Sequence, residues 1–93
     1  MIYKEHIEIA KSHLPHVDHE IKRQARLHNE HFRTSANASA RRAAHKLEKD
    51  CLDCAAAVRE GRYDDIRHNL RHSIIFANAV KIVCREMGIV TIS

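Results

Sequence analysis

Residues 33–40 read Arg33-Thr34-Ser35-Ala36-Asn37-Ala38-Ser39-Ala40. Whether a helix passes through them or stops there decides the fold. On both sides, apolar or small residues recur in one helical phase: Ala10, Leu14, Ile21, Ala25, Phe32, Ala36, Ala43, Leu47, Cys54 and Val58. Many of these stand eleven apart, as in Leu14, Ala25, Ala36, Leu47 and Val58. An 11-residue repeat averages about 3.67 residues per turn, close to an undistorted α-helix. A strand would alternate every second residue instead. The stretch holds no Gly or Pro, and the phase runs through it. The reading is therefore one long helix over 15–60. The other reading is a break at 34–39, with Ser35 or Ser39 capping a second helix. In either case Ser35, Ala36, Ser39, Ala40, Ala43 and Ala44 are small enough to let another helix approach closely.

Outward from this stretch, residues 2–12 form a short helix with Tyr3, Ile7 and Ala10 on one face. Ser12 can cap the next helix, and Pro15 suits the first turn of that helix, where its missing N–H costs nothing. Gly61 stands where a left-handed C-cap belongs. Asp64 and Asp65 then begin a helix over 63–87, with a stripe of Tyr63, Ile66, Leu70, Ser73, Ala77, Val80, Cys84 and Met87. Gly88 ends it, and 89–93 is an apolar, β-prone tail that is packed down or paired with another chain. The fold class is all-α, a bundle in one domain, 1–93. A 45-residue helix would be about 65 Å long and a 25-residue one about 38 Å. The shorter cannot cover the longer, so dimerisation is expected to complete the bundle. A break near Ser35 would permit a single-chain bundle instead.

The 93 residues include two Gly, one Pro and four aromatics, with a formal charge of +4 and a pI near 9.2. The aliphatic residues must build the core, and the charge tilts towards an acidic partner. Met1-Ile2-Tyr3-Lys4-Glu5-His6 contains no apolar leader core, and no run approaches the roughly 20 apolar residues of a membrane span. Three cysteines with no secretory segment fit reduced thiols, so a cytoplasmic location with no membrane partner is expected.

Four groups of residues carry candidate chemistry. Lys22, Arg23, Arg26, Arg33, Arg41 and Arg42 make the middle of the chain basic, a face for an acidic protein or nucleic-acid phosphates; without interleaved aromatics, single-strand base stacking is not supported. Nine histidines form the second group. His68 and His72 are four apart, and His16 and His19, like His28 and His31, three apart, spacings that let two imidazoles on a helix share an ion such as Zn, Ni or Cu. Most of them also suit a solvated surface. The third group, Cys51, Cys54 and Cys84, falls on core-facing stripes, as a soft-metal set or as small hydrophobes. Cys51-Leu52-Asp53-Cys54 lacks the strand and helix start of a thioredoxin-type motif.

The fourth is Arg67-His68-Asn69-Leu70-Arg71-His72. This fragment resembles the Arg-x4-6-His signature of HEPN helical domains, many of them dimeric, metal-independent ribonucleases. The resemblance covers six residues and implies Arg67 and His72 as a catalytic pair, one stabilising phosphate charge and one moving protons. No Ser-His-Asp set or Gly-rich phosphate loop occurs. The expectation is a self-associating, non-enzymatic interaction or regulatory protein with no cofactor. A metal-binding His/Cys-rich helical protein and a small HEPN-like ribonuclease are the alternatives.

Overall fold

The computed structural model describes residues 4–32 and 34–89, and they are helical throughout apart from short connections. The helices are α1 (Lys4–Ser12), α2 (Leu14–Phe32), α3 (Ala38–Arg59), α4 (Tyr63–His68) and α5 (Leu70–Met87).

The long helix over 15–60 does not form; it is broken at 34–37. The break needs no Gly or Pro because short polar side chains replace the helical hydrogen bonds. Asn37, with φ −82° and ψ 117°, accepts from the Ser39 and Ala40 amides and caps α3. Ser35 Oγ accepts from the Asn37 amide at 3.2 Å. The Ser35 carbonyl takes the Arg41 guanidinium at 2.6 Å. The chain folds back, and α2 and α3 run antiparallel, tied by Asn29 to Glu48 at 2.8 Å and Arg59 to Asp18 at 2.6 Å. The longest extent of the molecule is 41 Å, too short for a straight 45-residue helix of about 65 Å. With α2 and α3 facing each other, the packing reason for a second chain is gone.

The helix over 63–87 is also two helices. Asn69 leaves helical geometry at φ −110° and ψ 110°, and its side chain caps α5 through the His72 amide at 3.1 Å. Ser73 Oγ donates to the Ile66 carbonyl at 2.7 Å, which also accepts from the Asn69 amide at the interruption. Leu70 falls off the stripe and is 75% exposed. The expected joint near Ser12 to Leu14 is present as a turn at His13, whose carbonyl accepts from His16 and Val17. Pro15 lies in the first turn of α2.

Gly61 has φ 72°. Around it the Arg62 amide bonds the Ala57 carbonyl and the Gly61 amide that of Val58, the paired bonds of a Schellman cap. Gly88, at φ 69°, ends α5, and the Ile89 amide reaches Cys84. Ile89 packs against the core; the rest of the tail, 90–93, lies outside the described residues.

One core joins the helices. Val17, Ile21 and Ala25 come from α2, Cys51, Cys54, Ala55 and Val58 from α3, Ile66 from α4, and Phe76, Ala79, Val80 and Val83 from α5. The expected seam holds at Ala10, Ile21, Ala25, Cys54 and Val58 but fails at Ala36 and Ala43, which are exposed. Of the small residues expected at a close crossing, only Ala44 is buried. Phe76, the largest fully buried side chain, lies beside the stripe read from the sequence and meets Tyr63 edge-on at 6.3 Å.

Candidate metal centre

The break at Asn69 also places the site. It sets His72 in the first turn of α5, beside the middle of α3. Asp50 and Asp53, three apart on α3, share a side of that helix. One ligand atom from each of Asp50, Asp53 and His72 lies within 4.8 Å of the other two. Asp50 and His72 are half-buried and Asp53 is exposed. Two contacts hold the His72 backbone: its amide donates to Asn69 Oδ1, and its carbonyl accepts from Cys54 Sγ at 3.6 Å. Asp50 is held by Arg71, whose Nη1 stands 3.0 Å from Oδ2.

Asp53 and His72 also line a cleft of about 390 Å³, together with Ala56, Ala57, Arg62, Asp65 and Asn69. Ala56 and Ala57 are too small to fill it. Arg62 does not offer a free cation there, because Glu60 and Asp65 both accept from it; those bonds raise its pKa above the ordinary value. Two carboxylates and an imidazole make an oxygen- and nitrogen-rich donor set. It suits a divalent ion such as Zn²⁺, Mn²⁺ or Co²⁺ better than a soft one. The adjoining cleft leaves room for water at the remaining coordination positions.

Of the histidines read as ligands, only His72 belongs to this group. His68 ends α4 on the far side of the Asn69 break and is exposed, so the four-residue spacing does not lie on one continuous helix. His16 and His19 lie on α2, away from any three-ligand group among the described residues. The side chain of His31 lies outside the described residues. Cys51, Cys54 and Cys84 are free and buried. Burial raises the Cys51 thiol to about 11, with Asp50 and Glu48 adding to it, and Cys54 to about 12; burial raises Cys84 as well. In the metal-free chain the three sulfurs pack as core atoms.

Arg67 is exposed on α4 and does not line the cleft that His72 faces. Along the basic stretch, Lys22 pairs with Asp18 at 3.0 Å and Arg23 with Glu20 at 3.1 Å. Arg41 and Arg42 bond Ser35 and Ser39. Arg26 is exposed, and Arg33 lies outside the described residues. Sequence reading misses Asp50 and Asp53 as ligands. Their three-residue spacing is visible, but the third ligand comes from another helix.

No protein-family model matches the chain, and comparisons with curated proteins and with solved structures find no match either. Among the described residues, no helix is long and apolar enough to cross a membrane.

Proposed function

We propose that this chain is a small helical protein that binds a divalent transition-metal ion through Asp50, Asp53 and His72. The observation that carries the reading is the convergence of these three donors, from two helices, within 4.8 Å of one another and at the edge of a cleft. Their two negative charges offset the ion, and His72 supplies the nitrogen that distinguishes a transition-metal site from an all-oxygen one. This is the metal-binding alternative from the sequence, with a different ligand set: His72 is retained, and two aspartates take the place of His68, His16, His19 and the cysteines. The setting proposed for it is cytoplasmic.

Titration of the untagged protein with Co²⁺, followed by visible absorption, is the test. One equivalent should bind, and His72→Ala and Asp53→Asn should each weaken binding at least tenfold. Saturation at a hundred times Kd should add about 2.7 kcal/mol to the stability of the wild type. Co²⁺ affinity unchanged in both variants sinks the proposal.

A second reading, as a self-associating interaction protein, is favoured by one observation. Leu70 and Ile74, one turn apart on α5, are 75% and 53% exposed. That apolar face is a surface for another helix, while the basic residues of α2 and α3 offer an acidic partner a more broken face.

A further inference from the structure

Resting on the metal-site reading, we propose that Arg71 is a built-in competitor of the ion, occupying Asp50 until a metal displaces it. Arg71 and His72 are neighbours at the start of α5, so one helical turn presents both a ligand and a cation to the same stretch of α3, the cation to Asp50. The guanidinium lies 3.0 Å from Asp50 Oδ2 through a single nitrogen, and the Arg71 side chain is 48% exposed against 19% for Asp50. The carboxylate is the sheltered partner and Arg71 the one with water at hand. Released from Asp50, Arg71 loses one screened contact and regains hydration.

The charges favour competition over support. A neutral hydrogen-bond donor behind a ligand orients it and strengthens the site. A guanidinium on the same carboxylate withdraws the electron density an ion needs, and its positive charge repels the ion itself. Asp53 and His72 have no such competitor among the hydrogen bonds and ion pairs of the described residues. Loading therefore hinges on Asp50. The pair also serves the metal-free chain, spanning 21 residues from α3 to α5.

Co²⁺ affinity of the wild type, Arg71→Ala and Arg71→Lys tests this, with a thermal melt of each metal-free protein as the folding control. Arg71→Ala should bind about fivefold more tightly, the size of an exposed ion pair, while Arg71→Lys stays near the wild type because the charge remains. Equal or weaker binding by Arg71→Ala, with the wild type still binding, overturns the competitor and leaves the metal site standing. Absence of binding in all three proteins overturns both. Binding by Arg71→Ala alone is the extreme form of the expected result.

Discussion

His6 shows how one buried side chain ties this fold to pH. It is 6% exposed on α1. Desolvation holds its imidazole below the ordinary value of 6.5, with Lys81 acting in the same direction and Glu5 opposing. The unfolded chain therefore takes up this proton first as the solution is acidified. The stabilising contribution is complete above pH 6.5 and is lost as the pH falls through the depressed folded value. The melting temperature should drop as the pH falls below 6.5, and His6→Gln should flatten that drop. An identical pH profile in the variant removes His6 as the cause. In the sequence His6 is one more histidine of nine, because burial depends on what α1 packs against. Cys51, Cys54 and Cys84 are legible as core residues, since a small apolar residue at a helical step is buried under almost any packing of that helix.

The connections between helices are harder to read than the helices. Gly61 and Gly88 announce themselves, because glycine alone takes a left-handed cap without strain. The breaks at 34–37 and at Asn69 do not, because asparagine and serine are tolerated inside helices and become caps only when packing turns the chain. In the broken-helix reading of the sequence, Ser35 or Ser39 is the cap rather than Asn37. In the structure Asn37 Oδ1 takes two amides, the shorter bond at 2.8 Å, while Ser39 Oγ only receives Arg42. Asn37→Ala should cost about 1 kcal/mol and lower the melting temperature by about 4–8 °C. Ser39→Ala should change it by less than about 2 °C, the mark of a surface substitution. The reverse order in a thermal melt would return the cap to Ser39.

The buried core holds the molecule together, and a few long-range polar contacts about α3 help fix how the helices align on it. Asn29–Glu48 and Asp18–Arg59 fix α2 along it, and Arg71–Asp50 fixes the start of α5. The last of these contacts engages Asp50, one of the candidate ligands. With the chain folded back on itself, self-association no longer follows from helix length and rests on Leu70 and Ile74. Light scattering should give 10.7 kDa in dilute solution and a rising mass as concentration increases. Leu70→Asp should abolish the rise. A wild-type mass that stays at one chain throughout removes the self-association reading.

The all-helical character, the buried phases of Ile21, Cys54 and Val58, and the glycine caps follow from local spacing and backbone freedom, properties that each segment carries with it. The turn at Asn37, the kink at Asn69 and the meeting of Asp50, Asp53 and His72 do not. Each depends on which helix faces which, a choice made by the joint burial of residues far apart in the chain, of which Phe76 is the largest.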